Sequence, residues 1–210
     1  MSTTKRQPRS RPETLARRRD ILQAAMEIFG SKGYKNGALT DIAEQVDMTH
    51  AGILHHFGSK DALLLEVLTY RDETDVQDLV EKHIPGGMEL FRHLVRTAFA
   101  NAKRAGIVQT FAVLSAESVT DDHPAREYFE NRYRQLRSDV SAAFEQVCAE
   151  HGVDDQERVG LASASIIGVM DGLQVQWLLD PTAIDLGTTT EFAIEAIVAA
   201  VLTPSPNPLV

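Results

Sequence analysis

Apolar residues recur at steps of three and four along almost the whole of this 210-residue chain, and nowhere do they alternate with polar ones as a half-buried strand requires. That periodicity confines the fold class to all-α, with about nine helices. Leu15, Ile21, Leu22, Ala25, Ile28 and Phe29 fall on one side of a first helix that starts at Glu13, with Gly30 to Gly33 as its stop. Arg17, Arg18 and Arg19 precede that stripe and are expected to project to solvent. Two short helices follow. Leu39, Ile42, Ala43 and Val46 make the apolar face of one, with Thr40 as its N-cap; Asp47 marks the turn; Thr49 caps the next, which turns Ile53 and Phe57 inward and ends at Gly58. Ser59 caps a long helix carrying Leu63, Leu64, Val67, Leu68, Val76, Leu79 and Val80, which stops before Pro85-Gly86-Gly87. Five more helices are read near 88–105, 107–119, 124–151, 155–179 and 188–202, separated by Gly106, Thr120 to Pro124, Gly152 and Asp180-Pro181.

The chain is 43% hydrophobic with eight prolines, enough apolar material for a core, and no apolar run approaches the roughly 18 to 20 uncharged residues of a membrane span. Arg and Pro stand near Met1 where a leader peptide needs an apolar segment, and Cys148 has no second cysteine to pair with. The expectation is a cytoplasmic protein without membrane partners. Net charge is -9, which taken as an average argues against a polyanionic partner. The average hides a split. Residues 1–60 hold ten Lys/Arg against six acids, a balance of +4, and the other 150 residues carry -13. The domain reading is a flexible basic arm over 1–12, a basic head over 13–58, an acidic helical body over 59–203 and a tail over 204–210.

A helix, a turn of three or four residues and a second short helix, packed on a longer one, make a helix-turn-helix. A helix about 10–12 Å across enters the roughly 12 Å major groove, so the outward face of the second helix meets base edges. Here that helix is Thr49-His-Ala-Gly-Ile-Leu-His-His56. Thr49, His50, Gly52, Leu54, His55 and His56 are candidates for its outward face, and small Ala51 and Gly52 permit close approach to the sugar-phosphate wall. A +4 balance alone is usually just a solvated face; the ordered motif carries the reading. Metal binding by the histidines is disfavoured, since 50 and 55 diverge by about 140° and 50 and 56 by about 120° around a helix. Cys148 and His151 lack a second ligand pair. No phosphate loop, nucleophile elbow or ligand cluster suggests an enzyme, a cofactor or a metal.

The segments Asp20 to Gly30, Gly33-Tyr34, Leu39 to Ala43 and Met48-Thr-His-Ala-Gly-Ile-Leu-His-His-Phe-Gly-Ser-Lys60 closely resemble the DNA-binding domain of TetR-type (TetR/AcrR-like) transcriptional repressors, over about residues 15–70. The resemblance implies a homodimer on a palindromic operator in double-stranded DNA and a body that answers a small-molecule effector. By position it implies phosphate contacts from Thr40 and Lys60, a cap and backbone contact from Thr49, and a base or backbone contact from His50. Leu54 stands where the family usually has a phosphate-binding tyrosine and Gly52 where it has Thr or Ser, so Lys35 or the arm supplies more of the affinity. Alternatives are a DNA-binding regulator without small-molecule control, and a helical enzyme or interaction module.

Asp122 to Tyr133 and Met170 to Pro181 resemble members in which the last two helices form the dimer interface. The residues support that role, because 155–179 and 188–202 are apolar on more than one side and must be covered from more than one direction. Ile166, Met170, Leu173 and Trp177 with Phe192, Ile197, Ala200 and Val201 are the expected interface. Phe99, Phe111, Leu114, Tyr128, Tyr133 and Gln174 are candidate walls of a cavity for a largely apolar ligand, with the plain core as the other reading. Asp171 interrupts an apolar helix, where a lone carboxylate is expensive, and is read as pocket-lining or paired with an Arg.

Overall fold

The computed structural model describes residues 11–75 and 85–203. The first ten residues of the expected arm, the tail, and Val76, Leu79 and Val80 lie outside the described residues. Those described form nine α-helices and no strand: α1 Arg11–Asn36, α2 Leu39–Gln45, α3 His50–Phe57, α4 Lys60–Asp75, α5 Gly87–Asn101, α6 Ala105–Glu117, α7 Arg126–His151, α8 Gln156–Leu179 and α9 Leu186–Leu202. None of them is long and apolar enough to cross a membrane.

Helix ends follow the local chemistry, with two corrections. The break in α1 comes at Gly33, where φ is 74°, and helical structure resumes to Asn36. Gly30, expected as part of that stop, lies inside the helix and serves packing. α2 begins two residues earlier than a Thr40 cap allows; extended Ala38 precedes it, so the Thr40 side chain is exposed in its first turn. Thr49 and Ser59 do cap, their hydroxyls accepting from the amides of Gly52 at 3.1 Å and Ala62 at 3.0 Å.

One apolar cluster joins head and body. Ile21, Ala25 and Phe29 of α1, Ile42 of α2, and Ile53 and Phe57 of α3 pack with Leu63, Leu64, Val67 and Leu68 of α4, and the same cluster takes in Phe111, Leu114 and Phe129. Leu15, expected on the stripe, is exposed because the stripe meets its partners only from Ile21 onward. A second cluster fills the body between α5, α7, α8 and α9, with the Phe91 and Phe144 rings 4.6 Å apart. A third, smaller one holds Val108, Trp177 and Leu186.

The contact that sets the head on the body is α6 lying along α1. At Gly30 the backbones come so close that an added Cβ would stand 2.4 Å from Thr110 Oγ1 and 3.2 Å from Thr110 Cα. The Thr110 hydroxyl, fully buried, lies 2.8 Å from the Gly106 carbonyl oxygen and 3.0 Å from that of Met26. Replacing Gly30 by Ala should therefore lower stability by about 1–3 kcal/mol in spite of alanine's better helix propensity, since Thr110 backbone has to move. Urea unfolding of the two proteins measures this, and a Gly30→Ala protein at least as stable as the parent would show that the approach is loose.

Candidate DNA-binding surface and body cavity

The helix-turn-helix is built from short devices. Met48 N–H donates to the Ala43 carbonyl at 2.8 Å, Asp47 sits in the left-handed region with φ 51°, and Thr49 then opens α3. Ile53 and Phe57 hold one side of α3 in the core, which leaves Thr49, His50, Ala51 and His55 exposed on the other. Gly52 is half-buried: a Cβ there would meet Met48 Cε at 3.0 Å. Leu54, placed by the sequence among the outward residues, is half-buried and packs on the head core. His56 is half-buried with its ring beside that of Phe57.

Arg17 and Arg18 do not point freely into solvent as their sequence position suggests. Arg17 donates to the Val46 carbonyl at 3.1 Å, closing the end of α2. Arg18 does more: its guanidinium lies 4.2 Å over the Phe57 ring, donates to the His56 carbonyl at the end of α3, and pairs with Glu66 of α4. A planar guanidinium suits this, since it stacks and donates at once. Arg18 thus ties α1, α3 and α4 together behind the exposed histidines.

Lys60 and Lys35 border the same surface. Lys35 is exposed, and Lys60 Nζ lies 3.4 Å from the Lys35 carbonyl oxygen and 4.5 Å from the centre of the Tyr34 ring. Burial lowers the Lys60 pKa, while Asp61 and Glu117 act the other way. Tyr34 bridges head and body: its N–H donates to Glu117 Oε2 at 2.7 Å, its hydroxyl donates to Asp61, and its ring meets the His123 ring edge-on at 5.3 Å. A Cβ at Gly33 would stand 2.1 Å from Glu117 Oε1, so the α1 break is the seat of that carboxylate.

In the body, the expected ligand residues divide. Phe111, Asp171 and Gln174 line a cavity of about 100 Å³ between α4, α5, α6, α7 and α8, together with Arg71, Arg132, Thr97 and Asn101. The same three, with Tyr133, also line an adjoining cavity of about 240 Å³. Leu114 is fully buried core, and Tyr128 lies in the cluster's edge with its hydroxyl donated to Asp72. Phe99 is away from both cavities, its ring set against Gly187 at the start of α9, because the helix-face spacing that suggested it places it on the outer side of α5. Asp171 accepts from Tyr133 at 2.8 Å. Burial raises its pKa, against the Tyr133 hydrogen bond and the charge of Arg71, and burial likewise raises the Tyr133 phenol. Arg71 and Arg132 were not singled out by the sequence; Arg71 falls among Leu64, Val67 and Leu68 on the apolar side of α4, the same signal that marked Asp171.

The expected interface residues also divide. Ile166, Trp177 and Val201 are buried within the chain, because one of the two apolar sides of α8 and α9 fills its own core. Met170, Leu173 and Ile197 are half-buried, and Ala200 and Phe192 are exposed, Phe192 by 74%. Leu161, Val175 and Leu179 of α8 are exposed as well, so apolar side chains stand in solvent on both of the last two helices. Among the described residues no three His, Cys, Asp or Glu groups gather as a metal site would need.

A helix-turn-helix head on an all-helical body defines the class, a transcription regulator. Residues 21–67 match the model of bacterial regulatory proteins of the tetR family, and residues 87–203 match that of the C-terminal region of BetI-type transcriptional repressors. The chain belongs to the TetR family, and both it and its relatives are transcription regulators rather than enzymes. It is 23% identical over 189 residues to the "Probable acrEF/envCD operon repressor" of Escherichia coli (strain K12), covering 85% of this chain and 83% of that one. To the HTH-type transcriptional regulator BetI of Agrobacterium fabrum it is 26% identical over 175 residues, 82% of each chain. Its fold superposes on a TetR-family transcriptional regulator from Agrobacterium tumefaciens with a TM-score of 0.70 at 21% identity, over 90% of this chain and 98% of that one.

Because burial raises the Asp171 pKa in the folded state, the protonated carboxyl is the form the fold favours, and that stability is lost as pH rises through the raised value. Asp171→Asn removes the penalty and keeps an acceptor for Tyr133. Its melting temperature should exceed the parent's at pH 8 and the gain should shrink toward pH 4; a gain that is constant with pH, or a loss at pH 8, would refute the argument. Scanning calorimetry across that range reads it directly.

Proposed function

We propose that this chain is a homodimeric repressor that binds a palindromic operator through α3 and is released when a small molecule occupies the cavity between α4 and α8. The observation that carries the DNA-binding half is the exposed Thr49, His50, Ala51 and His55 face of α3, held from behind by Ile53, Phe57 and Arg18. His50 and His55 read base edges. Thr40, Lys35, Lys60 and the basic arm hold phosphates, and Thr49 adds a backbone contact. Gly52 and Leu54 shape the helix rather than touch DNA, and His56 supports Phe57.

The apolar face of α8 and α9, with Leu161, Val175, Leu179 and Phe192 in solvent, supports dimerisation through these helices. Two heads related by a two-fold axis then meet half-sites about one helical turn or more apart, typically ~34–36 Å. Ligand control needs the body to prefer a different head spacing when occupied, and a coupling of about 1.4 kcal/mol shifts operator affinity tenfold. The chain acts in the cytoplasm, where its operator is. Control without a small molecule is the second reading, favoured by the modest 100 Å³ of the polar cavity.

Selection from random duplexes by the full chain should return a palindrome with two equal half-sites; recovery of no common sequence would sink the proposal. On that operator, Lys60→Ala should weaken all variants alike and reduce the slope of log affinity against log salt by roughly 0.9, the contribution of one phosphate. His55→Ala should instead change the ranking of operator variants, and equal weakening of all of them would remove it from base reading.

A further inference from the structure

We infer that the ligand taken by the α4–α8 cavity is a small carboxylate, its oxygens held between the guanidiniums of Arg71 and Arg132 and its short apolar body directed among Leu136, Val140 and Met170. This rests on the reading of that cavity as the effector site and gives it a ligand class. The expectation of a largely apolar ligand is changed by the charges that line it. Arg71, on α4, is 5% exposed; Arg132 comes from α7; both border the cavity.

The unused donor of Arg132, at the cavity wall, points to an anion. Asp72 is an acidic partner these two guanidiniums share, its Oδ1 3.0 Å from Arg71 Nη1 and 3.9 Å from Arg132 Nη2, while its Oδ2 accepts from Tyr128. One carboxylate therefore serves two arginines and a phenol. Among the described residues, Arg132 Nε is buried and has no hydrogen-bond acceptor. On the facing wall, Asp171 is committed to Tyr133, and its burial favours the neutral acid. The counter-charge of Arg132 stands 3.9 Å away on an oxygen that Arg71 holds at 3.0 Å, and a ligand carboxylate supplies a nearer charge with the planar geometry that guanidinium recognises best.

A cationic ligand fits the same walls poorly. It would face two guanidiniums, and the aromatic surface it would need on Phe111 already carries Arg71, 4.4 Å over the ring. Size limits the ligand too. About 100 Å³ is smaller than the roughly 150 Å³ cavity that accommodates benzene, so a branched acid of a few carbons fills it, and a larger body has to extend past Phe111, Asp171 and Gln174 into the adjoining 240 Å³.

Calorimetric titration of the full-length protein at pH 7 with three bodies and three head groups tests this. The probes are acetate, isobutyrate and phenylacetate, the corresponding amides, and ethylamine, isobutylamine and phenethylamine. At least one carboxylate should bind ten times or more tightly than its amide and amine. That binding should fall at least tenfold in Arg132→Gln, a partly exposed position whose change leaves the melting temperature of the free protein within a few degrees, and should vanish in the cavity-filling Leu136→Trp. An amide or amine that binds as well as its carboxylate, and is lost in Leu136→Trp, overturns the carboxylate inference and leaves the cavity as the effector site. Carboxylate binding that survives both substitutions lies elsewhere and overturns it too. No binding by any of the nine at millimolar concentration overturns the inference together with the reading beneath it.

Discussion

The whole arrangement depends on how closely α6 can lie against α1. Gly30 removes the one side chain that would hold Thr110 away, and Gly33 opens the space into which Glu117 inserts to accept from Tyr34 N–H. Between these points the two helices are held in register, and residues of the head and of the body join one apolar cluster. A head hung from a flexible linker would leave the separation of two recognition helices undefined. Here the placement of the recognition helix is fixed by its packing on the body, which the proposed reading of two half-sites by a dimer would require.

The second dependence is polar. α2 and α3 have seven and eight residues, too short to hold their shape in water without tertiary support. Apolar packing fixes one face of each, and the ends are closed by side chains: Thr49 at the start of α3, Arg17 on the Val46 carbonyl, Arg18 on the His56 carbonyl. Arg18 is only partly shielded, so its pairing with Glu66 alone contributes little in water. Its value lies in doing three things with one group, stacking on Phe57, closing a helix end and reaching α4.

The sequence made the helices legible because long amphipathic stripes and capping residues are local signals. The nine helices of the described residues, with breaks at Gly152 and Asp180, follow from spacing and helix-breaking residues, as do the inward Ile53 and Phe57; the break expected at Gly106 falls at residues 102–104, with Gly106 inside α6. Partnership is not local. Nothing in the run Arg17-Arg18-Arg19 says that two of its members close the ends of other helices, or that Leu54 leans on the head core. The expected interface residues divide for a related reason: a helix apolar on two sides announces that both are covered, without saying which is covered by its own chain. Ile166 and Trp177 proved to be on the inner side and Phe192 on the outer. In the cavity, Asp171 on α8 and Arg71 on α4 carry the same mark in the sequence, a charge within an apolar stripe.

Arg71 is also where the cavity meets the head. It springs from α4, seven residues beyond Leu64 of the shared core, and rests on Phe111 of α6, one residue after the Thr110 that contacts α1. Under the proposed ligand control, a ligand that draws the guanidinium off that ring, or presses it down, would act on α4 and α6. Close-packed cores do not deform continuously, so such a pull would be answered by a shift of α4 against α6 as units. The required work is small: a tenfold change in operator affinity needs about 1.4 kcal/mol, comparable to one cation–π contact made or lost in a desolvated site. The charge asymmetry of the chain favours such a switch. With -13 on the residues beyond 60 and +4 before them, the body is repelled by the duplex that attracts the head, so bulk charge adds little to binding.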